Sequence, residues 1–452
     1  MNTRIKSLAA IATVGCAALA FADVPEVTSA SISQSAGDRL VTIEYTLANA
    51  PAVVTLDIQT NATDGTWASI GGANIQNFAP DSAVWRRVET NGTYTIKWHP
   101  DLSWPDHKIK DGGVRAVVTA WALDNTPDYM VVDLSSASQP NTERYYPAEE
   151  FLPGGLLTNP DYRTTSLVMR KIMAKNVTWT MGSVSELGRV RDREATHPAT
   201  LTNNYYIGVF EITQAQWESV TDYNNSWFQY PGCKATRPVD YVCYHEIRHS
   251  HNDTHDASGG AAYWPGKPYE TSFLGKLQAK TGLNFDLPTE AQWEFACRAG
   301  QGDGRWNNGK PIIDQVNDPN LPGRSPYNAG DDIDSRCQSA SAASQIDDSE
   351  ATAKVGSYEK NAWGLFDMHG NVYEWCLDYF DDDITALNGQ VNIDINNRTQ
   401  TANGNVGHAR VIHGGSWRNP ALYARSAYRE SCDPGSRFRT YGLRVACKAG
   451  LK

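Results

Sequence analysis

The N-terminal part of the chain alternates apolar and polar residues in short runs, a period typical of β-strands. The clearest runs are residues 40–47, 53–58, 94–98, 114–121 and 129–134. Turn signals such as Asn91-Gly92 separate them. This pattern predicts an all-β sandwich of immunoglobulin or fibronectin type III style over residues 23–145.

The pattern changes after a stretch rich in Ser, Pro, Asn and Gly, and residues 146–164 are expected to form a linker. Residues 165–450 contain few periodic helical segments. The two clearest helices begin after Thr213 and Thr289, which are suitable N-caps. The remainder is expected to consist of loops and short strands, stapled by metal ions or disulfides.

Residues 1–22 have the pattern of a secretory signal peptide. Arg4 and Lys6 precede an apolar stretch from Leu8 to Leu19, and Ala20-Phe21-Ala22 fits a cleavage site. A lipoprotein site at Cys16 is a weaker alternative, since the residues before it lack the usual Leu. The apolar run is too short to cross a bilayer, and no later stretch reaches the length of a transmembrane helix. We therefore expect export to a periplasm or to the cell exterior.

Composition narrows the function classes further. The 452 residues are 40% hydrophobic and 20% charged, which is ordinary for globular domains. The formal charge of −11 provides no basic surface for nucleic acid or anionic membrane. After cleavage seven cysteines remain, all in the second half, so disulfides are possible but at least one thiol is left over.

Four sequence blocks in the second half follow a known order. They are residues 206–214, 287–295 and 361–375, then Gly414-Gly415-Ser416-Trp417 followed by Gly442-Leu443-Arg444-Val445. Together they resemble the formylglycine-generating enzyme (sulfatase-modifying factor) family. The resemblance implies a loop-rich α+β fold related to C-type lectins. It also implies a link to enzymes that oxidise a sulfatase cysteine to formylglycine with O₂ and copper(I).

The copper chemistry is not expected in this chain. Copper(I) prefers thiolate ligands, and the family's founding enzymes carry two cysteines, five residues apart, after the Gly-Gly-Ser-aromatic block. Counted from Trp417 these positions are Asn419 and Ala424; counted back from Arg429 they are Ser416 and Ala421. Only a replacement of these ligands by Cys376 or Cys432 from another loop would restore a thiolate.

The resemblance implies calcium at two places. In the first, Asp367 and Glu374 supply carboxylates while Gly370 and Val372 supply carbonyl oxygens, the hard ligands that calcium prefers. The alternative is a tight turn beside a buried Trp375.

The second place pairs Asn328 and Ala329 with a later carboxylate. Asp347 follows this pair at about the spacing found in the family. Three nearer aspartates are alternatives for the same role: Asp331, Asp332 and Asp334. An acidic surface loop is the alternative. Calcium at either place would be structural, and ion binding would appear as folding stability.

A histidine cluster is the remaining metal candidate. His245 and His249 are four residues apart, and His251, Asp253 and His255 follow. A solvated polar loop is the preferred interpretation, because the sequence supplies no supporting shell for ligating histidines.

The preferred hypothesis is therefore a calcium-stabilised, non-oxidase binding module for a protein, peptide or glycan, with no catalytic residue assigned. The alternative is a family enzyme with altered, metal-dependent oxidative chemistry or residual formylglycine-generating activity. Whether catalysis remains is left open at this point.

Overall fold

The computed structural model describes most of the chain after the first 23 residues. The described residues are 24–61, 64–109, 113–135, 143–229, 234–249, 266–325, 351–387, 392–393 and 409–450.

Two antiparallel sheets form the front of the molecule. One contains β1 (Glu26–Gln34), β2 (Val41–Ala48) and β6 (Gly92–Trp98) in the order β1-β2-β6. The other is built on β3 (Ala52–Asn61), which pairs with β4 (Trp67–Ser69), β5 (Arg86–Val88) and β7 (Val114–Trp121). Alternate residues of β2, β3 and β6 are buried in one apolar cluster that both sheets share. The alternation that predicted these strands is therefore the alternation of core and surface positions.

A six-stranded sheet joins the front to the rest of the chain. Its strands are β8 (Tyr129–Asp133), β9 (Glu143–Tyr146), β10 (Ser166–Ile172), β13 (Tyr205–Gly208), β14 (Phe285–Asp286) and β20 (Ala446–Lys448), in the order β14-β20-β13-β10-β8-β9. The first two belong to the range expected for the front domain, yet β8 pairs with β10. The sequence pattern thus identified the strand at β8 but could not indicate that its partner would be β10.

The segment expected to be a linker is packed rather than extended. It contains 3₁₀ turns at Glu149–Phe151 and Pro160–Arg163. Phe151 and Tyr162 are buried in the front cluster, which also takes in Phe366 from the C-terminal body. Buried apolar side chains between the Pro and Gly residues thus hold this segment against the core, although its composition is typical of a linker.

Two further sheets complete the C-terminal body. In one, β12 (His197–Leu201) lies between β11 (Val177–Met181) and β16 (Asn392–Ile393). The other contains β15 (Tyr373–Tyr379), β17 (Arg410–His413), β18 (Glu430–Cys432) and β19 (Tyr441–Gly442), in the order β18-β17-β15-β19.

The described ranges contain four α-helices. They are α1 (Gln214–Thr221), α2 (Tyr244–Arg248), α3 (Phe273–Thr281) and α4 (Glu290–Arg298). Thr213 and Thr289 cap α1 and α4 with reciprocal capping boxes. The sequence analysis missed α3, which Ser272 caps by accepting a hydrogen bond from the backbone N–H of Gly275, without a reciprocal side chain.

No disulfide joins the five cysteines of the described ranges; Cys233 and Cys337 lie outside them. In the same ranges, no helix combines the length and apolarity required to cross a bilayer.

Candidate functional site

The turn between Asp367 and β15 brings together all four residues predicted for the first calcium site. Asp367 and Gly370 both have positive φ, at 56° and 83°, and they fold the chain tightly before the strand begins. A Cβ on Gly370 would lie 2.0 Å from the carbonyl oxygen of Arg324. Glycine is thus required there by the close approach of another loop.

Asp367 is the one predicted ligand with an unsatisfied side-chain oxygen. Its carboxylate is 2% exposed, and Oδ2 accepts a hydrogen bond of 2.6 Å from the backbone N–H of Gly356. Oδ1 is buried without a hydrogen-bond partner. Burial raises the pKa of Asp367 to about 6, and the nearby charge of Glu374 acts in the same direction. A hard cation at Oδ1 would satisfy this oxygen and favour the charged form.

Glu374, the second predicted carboxylate, is already engaged by other side chains. Arg444 donates from Nη2 to Oε1 at 2.8 Å and from Nε to Oε2 at 3.0 Å. The indole N–H of Trp293 donates to Oε2 at 2.7 Å. The structure therefore gives Glu374 a role the sequence analysis missed, as the buried partner of Arg444.

Glu211 is a further buried carboxylate that the sequence analysis did not select. It accepts hydrogen bonds from the Asn371 amide at 2.6 Å and from the Val372 backbone at 3.2 Å. Burial raises its pKa well above the ordinary value, and the charges of Asp367 and Glu374 add to the effect. Its signal in the sequence was a lone acidic residue in the apolar run from Val209 to Ile212.

The chemistry of this cluster suits a hard cation held partly by backbone oxygens. Three carboxylates, Glu211, Asp367 and Glu374, influence one another, and Arg444 pairs directly with one of them. Within the described ranges, no three His, Cys, Asp or Glu side chains are spaced to hold a metal ion by themselves. An ion at Asp367 would thus need carbonyl ligands, which is the arrangement predicted with Gly370 and Val372.

The segment that corresponds to the family's copper-binding positions has no thiol. The Ser416 hydroxyl hydrogen-bonds to the side-chain oxygen of Asn419. Ala421 and Ala424 are buried against Trp306 and Leu321 in a small apolar cluster. Whichever way the positions are counted, they are occupied by a hydroxyl, an amide or a methyl group.

Four of the five cysteines in the described ranges are buried, and Cys447 is half-buried. Cys376 and Cys432 belong to different apolar clusters. Burial raises the pKa of Cys376 well above its ordinary value and that of Cys432 to about 12. Cys297 lies behind the copper-position segment, 3.4 Å from the Ser426 hydroxyl, and burial raises its pKa strongly as well. Because the thiolate is the metal-binding form, these environments oppose metal binding.

Comparison with known protein families identifies one match. The family model described as "Sulfatase-modifying factor enzyme 1-like domain" matches residues 163–449. The chain belongs to this family.

Curated relatives of this sulfatase-modifying factor domain carry different names. A formylglycine-generating enzyme of Streptomyces coelicolor is 32% identical over 168 residues, 36% of this chain and 47% of that enzyme. Serine/threonine-protein kinase pkn1 of Chlamydia caviae is 32% identical over 189 residues, 42% of this chain and 23% of the kinase. Chaperone protein LppX of Paenibacillus barcinonensis is 25% identical over 259 residues, 54% of this chain and 80% of the chaperone. The chain spans less than half the length of the first two.

Solved structures are also similar over the same part of the chain. Treponema denticola variable protein 1 has a TM-score of 0.45 and 22% identity, covering 63% of this chain and 96% of that one. PvdO from Pseudomonas aeruginosa has a TM-score of 0.42 and 22% identity, covering 62% and 94%.

Only some of the other residues predicted to bind a metal ion in the sulfatase-modifying factor domain lie within the described ranges. Asn328, Ala329 and Asp347 lie outside the described residues, as do the rival aspartates Asp331, Asp332 and Asp334. His245 on α2 and His249 just after it are brought together, with ring centroids 5.5 Å apart. His251, Asp253 and His255 lie outside the described residues.

A buried ion-pair cluster beside the copper-position segment was also missed. Arg425 donates to Glu186 at 2.8 Å and to both oxygens of Glu194 at 2.7 and 2.8 Å, and all three side chains are fully buried. This cluster ties the segment to the loop before β12. Arg425 is more than 230 residues from either glutamate in sequence, so no local pattern could have revealed the pairing.

Proposed function

We propose that this chain is an exported, calcium-stabilised binding module that does not catalyse copper-dependent formylglycine formation. The observation that carries the proposal is the copper-position segment, where Ser416, Asn419, Ala421 and Ala424 stand in place of thiolates. A hydroxyl, an amide or a methyl group does not bind copper(I) as a thiolate does.

Calcium is proposed at Asp367, with the carbonyl oxygens of Gly370 and Val372 as further ligands. The unpartnered Oδ1 of Asp367 and the mutual repulsion of the carboxylates support it. The ion would hold the turn before β15 in place. Since the ion would bind the folded protein and not the unfolded chain, the binding energy would appear as folding stability.

Features outside the calcium turn support the role of a binding module. We infer that the front sheets form a sandwich of immunoglobulin or fibronectin type III style and that residues 1–22 direct export. Relatives named formylglycine-generating enzyme, serine/threonine-protein kinase and chaperone protein each match part of this chain, which supports a role other than formylglycine formation. The ligand would be a protein, a peptide or a glycan.

Elemental analysis of the mature protein, starting at Asp23 and produced in an oxidising compartment, tests the proposal. We expect about one calcium per chain or more, and no copper or iron after incubation with copper(I) under reducing conditions. An Asn419→Cys/Ala424→Cys variant is the matched control for copper uptake. Near-stoichiometric copper or iron in the wild type, together with O₂ consumption in the presence of thiol peptides, would overturn the proposal and favour an enzyme with altered oxidative chemistry.

A further inference from the structure

A cavity of about 590 Å³ lies over one face of the six-stranded sheet, where the front of the molecule meets the C-terminal body. β8, β9, β13 and β20 provide its floor. Arg87 of β5 and residues 281–284, at the end of α3, close it from the sides. Its volume is in the range of small-molecule sites, and it is separate from the Asp367 turn and from the copper-position segment.

The strand register explains why particular side chains meet there. Glu143 and Tyr145 are two residues apart on β9, so they point to the same face of the sheet. Tyr145 is opposite Met130 of β8, and Tyr206 of β13 is opposite Cys447 of β20. The rings of Tyr145 and Tyr206 approach to a centroid distance of 6.5 Å. All five side chains line the cavity.

Two polar groups of this face have no partner. Tyr145 is fully buried, and its hydroxyl makes no hydrogen bond. Glu143 is 7% exposed, and its carboxylate makes no hydrogen bond or ion pair with the described part of the chain. Burial raises the pKa of Tyr145, and the charge of Glu143 acts in the same direction. A buried phenol hydroxyl without a partner is unfavourable unless something in the cavity bonds to it.

Several neighbouring polar groups already have partners. The Tyr206 hydroxyl is 2.8 Å from the Thr126 hydroxyl, and Arg87 forms an ion pair with Glu89 at 2.9 Å. The side-chain oxygen of Asn204 accepts hydrogen bonds from the backbones of Ala174 and Lys175. The Tyr145 hydroxyl, by contrast, has no partner, and Glu143 lies two residues from it on the same strand.

The charges around the cavity restrict the class of ligand. Arg87 and Lys175 carry positive charge, and Asp124 and Glu143 carry negative charge, so an ionic ligand would meet a group of its own sign. A neutral molecule with several hydroxyl groups avoids this repulsion. Its hydroxyls can donate to Glu143 and can both donate to and accept from Tyr145.

We propose that this cavity binds a neutral saccharide of one or two rings, anchored by hydrogen bonds to the Glu143 carboxylate and the Tyr145 hydroxyl. The inference rests on the proposed binding function and names the chemistry of its ligand. Tyr145 is the diagnostic residue, because its hydroxyl is unfavourable in the free protein and favourable in the complex. Its removal is expected to change stability and binding in opposite directions.

The test is calorimetric titration of the mature protein with glucose, galactose, mannose, N-acetylglucosamine, maltose, cellobiose and lactose. We expect at least one of them to bind with millimolar or tighter affinity. Tyr145→Phe and Glu143→Gln should each weaken binding about tenfold or more. Tyr145→Phe should leave the thermal unfolding midpoint of the free protein unchanged or higher. Tyr94→Phe is the matched control, because the Tyr94 hydroxyl lies on the front sheets and hydrogen-bonds to Thr90. This variant should bind the sugar as tightly as the wild type does.

A second measurement locates the ligand. Met130 lines the cavity and is one of six methionines in the sequence. In protein labelled with ¹³C at the methionine methyl groups, the signal lost in Met130→Leu should be the signal that shifts on titration. Binding that shifts other methionine signals but not this one would overturn the proposal.

The proposal would also be overturned if none of the seven sugars binds, or if Tyr145→Phe and Glu143→Gln bind as tightly as the wild type. These failures are distinguishable from failure of the proposed function. A protein that holds calcium alone but binds no sugar loses only the saccharide assignment, whereas one that takes up copper and consumes O₂ loses the non-oxidase role.

Discussion

Replacing Asp367 by Asn tests the calcium assignment through stability alone. The folded state raises the pKa of this carboxyl from 3.8 to about 6, chiefly by burial. An acid with a raised folded pKa contributes stability below its unfolded pKa and loses it as the pH rises through the folded value. At pH 8 without metal, the ionised carboxylate therefore costs about 3 kcal/mol.

Asn removes this cost but introduces a different one. Its oxygen can retain the hydrogen bond from Gly356, while its NH₂ group takes the place of the unpartnered Oδ1. A buried donor without a partner costs about 1–3 kcal/mol. We therefore expect Asp367→Asn to stabilise the metal-free protein by ~1 kcal/mol at pH 8, and this advantage should shrink as the pH falls towards 4.

Calcium should reverse the order of stability. At a concentration of 100 times its Kd, the ion stabilises the wild type by about 2.7 kcal/mol, whereas a variant that does not bind it gains nothing. The assay is urea unfolding followed by tryptophan fluorescence, in EDTA and in calcium, with magnesium as the ion control. Asp240→Asn is the matched variant, since Asp240 is also buried but accepts hydrogen bonds from Trp227 and Phe228. Equal stabilisation of wild type and Asp367→Asn by calcium would refute the reasoning, as would a less stable Asp367→Asn in EDTA at pH 8.

Three further predictions concern the scaffold. Arg425→Met should lower the free energy of unfolding by about 3–5 kcal/mol in urea titrations, because it leaves Glu194 buried without its ion-pair partner and leaves Glu186 only Arg298 at 3.7 Å; a loss below 1 kcal/mol would contradict this. Thr289→Ala should cost ~1 kcal/mol by removing the cap of α4, whereas the exposed Thr178→Ala should be near neutral. Burial raises the pKa of Asp240 to about 7, so its contribution to stability is present below pH 4 and lost as the pH rises through 7. Between pH 5 and 8 in EDTA, the free energy of unfolding should therefore fall less steeply in Asp240→Asn than in the wild type. Parallel pH profiles of the two proteins would disprove that Asp240 causes this fall.

Local signals in the sequence predicted local structure well. The caps at Thr213 and Thr289 and the alternating front strands depend on residues a few positions apart, and the structure contains these elements. Helix α3 was missed although Ser272 caps it, because Gly275 at its third position provides no reciprocal capping side chain of the kind that marks α1 and α4.

Partnerships between distant residues could not be predicted in the same way. Glu374 was selected for calcium from its spacing to Asp367, yet it pairs with Arg444, 70 residues further along. Arg444 itself was noticed only as part of a family block. Likewise, residues 129–134 were predicted as a strand, but nothing in them indicated that β8 would pair with β10. Such choices depend on which surfaces meet in three dimensions.

That pairing has a consequence for how the protein can be divided. The family model begins at residue 163, but β8 and β9, which precede it, cover the open side of β10. A fragment cut at the family boundary would leave Leu167, Val168 and Met169 in an uncapped edge strand, the kind of surface that recruits other chains into aggregates. β8 and β9 are thus part of a sheet of the family domain although they precede the family boundary. A graft or fusion that keeps β10 paired must therefore carry the chain from before Tyr129.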